Sequence, residues 1–338
     1  MFKNFRTNRC YIIAEIGGNF TNIEQAKRLI DEAFIAGVDA IKLQTYRAET
    51  ISSKNAIFNM ENTGIVSQFD LFKKYEVNEL LHYKVFDYAK QRNLDYFSTP
   101  SHQSDVEMLE RQNVGVYKIG SDDASNIPFL KYVAKIGKPI ILSTGMCTLS
   151  EVIKAVDSIF SEGNMDVKLL HAITSYPTHN LNVNLKSIET LRLTFPQLDV
   201  GYSDHTLTPI ACICAAAMGA RIIEKHFTLD KNLEGPDHVL SADPTEMKFI
   251  VNSIRAFEEM RGTGIKMPAE SEKITRINNR KSIVLCRDVK KDHILGPDDI
   301  SIKRPGYGIQ PEHYEMIIGR KLMRNMYQDE ILNWIDLV

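Results

Sequence analysis

The sequence predicts a (β/α)8 barrel followed by a small, mostly β domain. Three observations carry that reading. Over residues 1–262 short apolar runs alternate with amphipathic helical stretches, eight pairs in all, which is the content of one closed barrel. No Gly-x-Gly-x-x-Gly follows the first run, which argues against an open doubly wound sheet. Past residue 280 the helical period is lost, and short apolar runs separated by turns take its place. The chain has 338 residues, with 43% apolar and 25% charged, so disorder, collagen and coiled coil are excluded as the main architecture.

The first strand is Tyr11 to Ile16, ending in Glu15 and Gly17-Gly18. Asn22 is a candidate N-cap for a helix whose apolar face is Ala26, Leu29, Ile30, Ala33 and Phe34. The second strand is Ala40–Gln44. A polar excursion follows over residues 46–77, too long for a simple connection and of the kind that is functional or mobile. Further strands are predicted at Tyr96–Ser98, Val116–Ile119, Pro139–Ser143, Val167–His171, Asp199–Ser203 and Ala220–His226. Ser104 with Glu107 and Thr148 with Glu151 have capping-box spacing. Asp243-Pro244 with Glu246 opens the last helix of the barrel, whose face is Met247, Ile250, Val251, Ile254 and Phe257.

Residues 263–279 read as a linker, with Gly264, Pro268 and alternating charges. The domain over 280–338 holds a strand at Lys281–Cys286 and a turn at Gly296-Pro297-Asp298-Asp299. A loop at Lys303–Gly308 and a short helix at Glu312–Ile317 follow. About 60 residues are marginal for independent stability, so this domain is expected to lean on its own barrel or on another subunit's.

Charge is balanced. Lys plus Arg number 41 and Asp plus Glu 43, a net of −2, which makes no electrostatic case for nucleic acid or an anionic membrane. Met1 to Arg6 lack an apolar signal core, and no run approaches 18 apolar residues. The five cysteines, at 10, 147, 212, 214 and 286, are odd in number, and Cys212-Ile213-Cys214 is too tight for a zinc ribbon. They read as reduced, small core residues of a cytoplasmic protein.

In such a barrel the active site lies at the C-terminal ends of the strands. Those ends carry Glu15; Lys42 and Gln44; Ser98-Thr99; Lys118 and Ser121; Ser143-Thr144; Tyr176; Ser203-Asp204-His205; and Glu224 with His226. All eight strands place polar groups at one end. Lys42 and Lys118 sit inside apolar runs, where a charge is costly without a partner. With Thr99, Ser121, Ser143 and Ser203 they form a nest for a phosphate, a carboxylate or a ligand with both. His205 and His226 end neighbouring strands and are the candidate metal ligands, Glu224 facing the same way as His226. His171, His179 and His238 are weaker candidates, and His82, His102, His293 and His313 read as surface residues. Asp237, in the loop Gly235-Pro236-Asp237, is a candidate base or hydroxyl-binding group.

Taken in order, these stretches resemble the sialic acid synthase (nonulosonate synthase) family. The matching runs are Ala14-Glu15-Ile16-Gly17, Lys42-Leu43-Gln44-Thr45, Phe97-Ser98-Thr99-Pro100, Tyr117-Lys118-Ile119-Gly120-Ser121 and Ile141-Leu142-Ser143-Thr144-Gly145-Met146. They continue through Tyr176-Pro177-Thr178, Gly201-Tyr202-Ser203-Asp204-His205-Thr206, Glu224-Lys225-His226-Phe227-Thr228 and Lys303-Arg304-Pro305-Gly306. The resemblance implies a barrel plus a C-terminal antifreeze-like (SAF) domain, in a domain-swapped homodimer. It implies condensation of phosphoenolpyruvate with the open-chain aldehyde of an N-acylated hexosamine, releasing phosphate. The acceptor would be N-acetylmannosamine or a diacetamido-trideoxyhexose.

By the same resemblance His205 and His226 hold a divalent metal, Mn2+ first, with Mg2+ or Co2+ as alternatives. Phosphoenolpyruvate is held by Lys42, Thr99, Lys118, Ser121, Ser143 and Ser203. Glu15, Gln44, Tyr176 and Asp237 face the sugar, and Asp123, beside Ser121, joins the substrate-binding set. Arg304 reaches the acyl group from the other subunit. Glu15 or Asp237 is the water-activating base, and Lys118 neutralises the departing phosphate. The chain departs from the family at Asn19-Phe20, where Asn-His is usual, at Asp122-Asp123, and at Ala172-Ile173-Thr174-Ser175. These changes are expected where the sugar lies. The rival readings are a condensation onto a sugar phosphate, which needs a second phosphate site, and a silent sugar-binding homologue, suggested by Phe20.

Overall fold

The computed structural model describes residues 9–60 and 64–338. The chain divides into two compact units, Met1–Arg261 and Gly262–Val338. In the first, twelve-strand numbering begins with β1 (Tyr11–Glu15), β2 (Ala40–Thr45), β3 (Ile57–Met60), β4 (Gly64–Ser67), β5 (Asp95–Pro100) and β6 (Tyr117–Ile119). It continues with β7 (Ile140–Ser143), β8 (Val167–Ala172), β9 (Asp199–Asp204) and β10 (Ile222–His226). Eight of these close into a barrel in the order β1-β2-β5-β6-β7-β8-β9-β10, each pair parallel. The helices Ile23–Ala36, Glu79–Gln91, Gln103–Arg111, Ile127–Ala134, Leu149–Phe160, Lys186–Thr194, Ile210–Ala217 and Pro244–Met260 surround it.

Local chemistry sets the helix starts. Asn22 accepts from the Gln25 N–H, and Thr148/Glu151 and Asp243/Glu246 are complete capping boxes. The predicted Ser104 cap is corrected. That helix begins at Gln103, and the cap is His102, whose Nδ1 accepts from the Ser104 N–H. An imidazole nitrogen serves as well as a carboxylate here, and residue propensity does not anticipate it.

Strand parity places the site. Tyr11, Ile13, Ala40, Phe97, Val116, Ile141, Leu170 and Ile222 form one buried cluster, the inside of the barrel. Ile12, Ala14, Ile41 and Leu43 belong to a second cluster with the helices. Side chains alternate along a strand, so two residues beyond each inner apolar residue the same face continues. Ile13 leads to Glu15, Ala40 to Lys42, Phe97 to Thr99, Val116 to Lys118, Ile141 to Ser143, and Ile222 to Glu224. The interior is thus apolar at its base and polar at its C-terminal end.

The excursion after β2 has structure of its own: helix Ala48–Ile51, the antiparallel hairpin β3/β4 and helix Gln68–Tyr75. Its aromatic rings pack edge to face, Tyr46 on Phe72 at 5.0 Å and Phe58 on Phe72 at 5.5 Å.

In the C-terminal unit β11 (Ser282–Leu285) pairs antiparallel with β12 (Ile300–Lys303). Single bridges such as Val284 to Ile331 and Val289 to Met326 extend the pairing. A separate small core includes Ile283, Leu285, Leu295, Ile317, Leu322 and Leu332. The stretch read as a linker contains a short helix, Lys273–Asn279. It carries no buried residue. What holds it is polar: the Ile277 carbonyl accepts from Gly306 N–H at 3.0 Å, and Asn278 accepts from the Tyr307 hydroxyl at 2.7 Å.

Candidate active site

The barrel mouth opens on a cavity of about 700 Å3. Ladder register assembles its floor. Glu15 stands opposite Lys42 on one side and His226 on the other, and Glu224 stands opposite Ser203. Lys42 is 3% exposed, forms an ion pair with Glu15 and donates to Thr99 Oγ1 at 3.0 Å. Both Lys42 Nζ and Lys118 Nζ lie 3.7 Å from Glu224 Oε1, which also accepts from Ser203 Oγ at 3.1 Å. Neither lysine reaches outward to solvent.

The charges in this group are unequal. Burial pushes the Lys118 ammonium down to about 8, with Glu224 opposing it. Lys42 is also buried, but it lies between Glu15 and Glu224, and its proton is held more tightly than in water. Glu224, buried but between the two cations, is pulled below the usual carboxylate range. Burial pushes Glu15 up against the pull of Lys42. Asp237 is pushed up to about 7 by burial and by Glu15.

Across the floor stand two imidazoles. The rings of His205 and His226 are 5.5 Å apart between centroids, and the Tyr176 ring lies 4.3 Å from His205. His205 Nδ1 meets the Ile173 carbonyl at 2.8 Å. A carbonyl can only accept, so Nδ1 carries the proton and Nε2 keeps a lone pair. His226 Nδ1 is buried without a hydrogen-bond partner, 3.5 Å from Asp237 Oδ2. Burial lowers His205 to about 4 and holds His226 well below the usual imidazole range, so both are neutral at pH 7. Two neutral imidazoles, one with an orphaned nitrogen and one oriented by a carbonyl, fit a divalent cation. Among the described residues no cluster of three or more His, Cys, Asp or Glu is arranged to hold a metal, so other ligands would have to complete the set.

Of the predicted site residues, Lys42, Gln44, Thr99, Lys118, Ser121, Ser143, Tyr176, Ser203, His205, His226 and Asp237 all line this one cavity. Glu15 lies behind Lys42, completely buried. Gly145 N–H donates to Ser121 Oγ at 2.9 Å, leaving no room there for a larger residue. One residue predicted from this unit, Asp123, is not brought in. Asp123 accepts from Asn126 Nδ2 at 2.9 Å, and its neighbour Asp122 lines the cavity instead. Arg304 is exposed, in the C-terminal unit.

Phe20 is also corrected. It is 2% exposed within the hydrophobic core and does not line the cavity. Asp122 and Thr174, at the other two departures, do face the cavity. His82 is not a surface residue. It is completely buried, lowered to about 4 by burial, and bonded to Thr45 Oγ1 at 2.9 Å. His171 and His238 are engaged elsewhere, by the Val183 carbonyl and Thr228 Oγ1. Cys10 and Cys212 are buried as expected, but Cys214 is exposed.

Sequence reasoning missed three contributions. Glu224 serves as counter-ion to both lysines, a role that same-face spacing with His226 could have suggested. Tyr46, Phe58 and Phe72, from the excursion, form an aromatic wall. Asp204 and Lys225 form a buried ion pair at 2.8 Å, signalled by a lysine within an apolar strand.

Fold and site together define an α/β-barrel protein whose mouth carries buried lysines, hydroxyls and paired imidazoles. The chain belongs to the NeuB family, whose model matches residues 29–266, with a SAF domain matched over residues 280–338. It is 44% identical over 329 residues to an uncharacterized protein of Methanocaldococcus jannaschii, covering 97% of this chain and 94% of that one. It is 39% identical over 334 residues to an N,N'-diacetyllegionaminic acid synthase of Legionella pneumophila, covering 96% and 94%. A crystal structure of the N-acetylneuraminic acid (sialic acid) synthetase of Leptospira borgpetersenii, in complex with citrate, matches with a TM-score of 0.71 and 33% identity. That match covers 79% of this chain and 90% of that one. No helix among the described residues is long and apolar enough to cross a membrane.

Proposed function

We propose that this chain condenses phosphoenolpyruvate with the open-chain aldehyde of an N-acylated hexosamine, releasing phosphate and forming a nonulosonic acid. One observation carries the reading. Two buried lysines and a set of hydroxyls form one side of a cavity whose other side holds two neutral imidazoles. Phosphoenolpyruvate bears a phosphate and a carboxylate, which Lys42, Lys118, Thr99, Ser121, Ser143 and Ser203 can share. Held there, its C3 is kept close to the aldehyde carbon, which removes the entropy of encounter.

C3 bonds to the aldehyde carbon, and the aldehyde oxygen takes a proton. Water adds to C2, Glu15 or Asp237 receiving its proton. The C2–O bond to phosphate then breaks as the C2 hydroxyl gives its proton to the departing phosphate and becomes the ketone, with Lys118 beside the anion. His205 and His226 would hold a divalent cation, Mn2+ in this reading, which supplies Lewis acidity at the aldehyde oxygen. The Legionella and Leptospira relatives are named for making N,N'-diacetyllegionaminic acid and N-acetylneuraminic acid, which supports a nonulosonic acid as product; the acceptor in this reading is a diacetamido-trideoxyhexose or N-acetylmannosamine. The reading includes a cytoplasmic, domain-swapped homodimer in which Arg304 of one copy serves the acyl group held by the other.

Phosphate release by metal-stripped protein tests the proposal. Phosphoenolpyruvate, Mn2+ and each sugar are supplied in parallel. Release that requires both metal and one of the sugars is expected. Silence with every sugar, despite phosphoenolpyruvate binding, would remove the condensation reading for those acceptors.

A further inference from the structure

The ladder between β9 and β10 runs through Ile223–Tyr202, Glu224–Ser203 and Lys225–Asp204, where it ends. One residue beyond that last rung on each strand stands an imidazole. The two backbones then part: the His205 carbonyl accepts from Thr178 N–H at 2.9 Å and the His226 carbonyl from Ala242 N–H at 2.7 Å. Nothing in the ladder itself therefore fixes the spacing of the two rings.

The last rung carries an unusual pair of side chains. Lys225 and Asp204 lie on the outer face of the barrel, at 2% and 0% exposure, with Nζ 2.8 Å from Oδ2. Asp204 takes four further donors: Tyr202 OH at 2.8 Å, Thr206 N–H at 3.0 Å, Thr206 Oγ1 at 3.1 Å and Cys212 Sγ at 3.4 Å. Lys225 Nζ also donates to the Thr206 carbonyl at 2.5 Å. The cluster thus joins β9, β10, the turn after His205 and the helix Ile210–Ala217. A buried ion pair is often replaceable by apolar residues of similar volume at no cost in stability. Fold stability alone is therefore a weak reason for its presence.

We propose that Asp204 and Lys225 are positioning residues. They clip β9 to β10 from outside the barrel and so hold the His205 and His226 rings in the relation that lets both serve one cation. The clip acts through the backbone, because each member is the chain neighbour of one imidazole and points to the opposite face.

This rests on the proposed role of the two imidazoles, and the test separates the two. Asp204→Leu with Lys225→Met replaces the pair by apolar groups. Thermal melting, the metal-free 1H–15N spectrum of the imidazoles, Mn2+ affinity by electron paramagnetic resonance and phosphoenolpyruvate affinity are read together. The double variant is expected to melt close to wild type and to bind phosphoenolpyruvate with unchanged Kd. The His205 Nδ1–H signal is expected to broaden or shift, and Mn2+ Kd to weaken at least tenfold. A stable double variant with a wild-type imidazole spectrum and Mn2+ affinity overturns the proposal. Should it fail to fold, Tyr202→Phe, which deletes the hydroxyl donor 2.8 Å from Asp204 Oδ1, is read in the same way. A shift of the imidazole signals with about threefold weaker Mn2+ is expected, and no change in either overturns the proposal. If wild-type protein binds no Mn2+, the metal reading fails, while the metal-free spectrum still decides whether the pair orients the rings.

Discussion

The barrel and the C-terminal unit both bury carboxylates, but they satisfy them differently. In the C-terminal unit Asp299 Oδ1 accepts from Arg287 Nε at 2.7 Å. Its Oδ2 accepts from Gly296 N–H and is bonded to His293 Nε2, both at 2.8 Å. Asp336 accepts from Arg324 Nε and from Asn333 N–H. Both oxygens of each carboxylate are engaged. At the barrel mouth Glu224 Oε2, Ser143 Oγ and His226 Nδ1 are buried with no hydrogen-bond partner. Leaving such groups unsatisfied costs free energy, and these three share one cavity, whereas Asn19 Oδ1 and Gln112 Oε1, also unsatisfied, lie outside it. Asp299 and Asp336 are thus saturated by their own unit, as Asp204 is outside the barrel, whereas Glu224, which lines the cavity, keeps an oxygen open.

The largest effect should come from removing a cation at the mouth. Lys42→Met leaves Glu15 and Glu224 buried with Lys118 as the one remaining lysine beside them. We expect phosphate release to fall by roughly a thousandfold, as when a preorganised electrostatic contact is lost. The same change should destabilise the protein by about 3 kcal/mol, because a buried charge loses its partner. Steady-state assay and urea unfolding check the two numbers. A stable, active Lys42→Met protein would break the contrast between the units.

In the C-terminal unit the corresponding change is purely structural. Asp299→Asn breaks the shared bonds to Arg287, His293 and Gly296, at a cost of about 1–3 kcal/mol, with phosphoenolpyruvate affinity unchanged. Burial acts to raise this carboxyl, but the Gly296 N–H, His293 and Arg287 outweigh it, and the net shift is downward. A carboxyl depressed in the folded state stabilises it above the unfolded value, near 4, and loses that contribution as pH falls through the folded value. Wild type should therefore lose stability as pH falls below about 4 by an amount that the variant does not. Paired acid titrations followed by circular dichroism would show this.

Ser143→Ala sharpens the contrast from the other side. The hydroxyl has no partner, so its loss should change stability by less than about 0.5 kcal/mol. If it completes the anion nest, phosphoenolpyruvate should bind about tenfold more weakly, or ~1.4 kcal/mol. Calorimetry on the folded variant reads both.

Much of this was legible because a parallel barrel turns sequence order into place. An apolar strand that ends in a polar residue two positions beyond an inner one puts that residue on the floor, and Lys42 and Lys118 obey this rule. Parity could not show which partners they would find, since Glu224 pairs with residues more than a hundred positions away. Asp122 and Asp123 were indistinguishable, because they lie in a turn where period-2 alternation does not hold. Phe20 misled because a substituted motif residue was assumed to face the site, when the chain has turned it into the core. His82 looked like a polar residue on a helix surface. Its burial depends on Thr45 at the end of β2, a contact that no local pattern encodes.

The smallest expected effect concerns the proton on Lys118. Its ammonium is lowered to about 8, first by burial, while Lys42 adds repulsion and Glu224 opposes both. At pH 8 the free protein therefore carries it about half protonated. A bound phosphate or carboxylate favours the charged form, so binding raises this value and draws a proton from solution. Uptake of roughly half a proton is expected at pH 8, close to none at pH 6.5 and approaching one at pH 9. Affinity for phosphoenolpyruvate should accordingly fall as pH rises above 8. Calorimetric titration in two buffers of different ionisation enthalpy measures the uptake directly. Lys118→Met should abolish the part that appears above pH 8 and leave any uptake by Asp237, which titrates near 7. Equal uptake in wild type and Lys118→Met at pH 8.5 would show that the lysine is already fully charged in the empty site. Glu224 would then neutralise it as completely as Arg287 neutralises Asp299, and the two units would not differ in the way their buried charges are held.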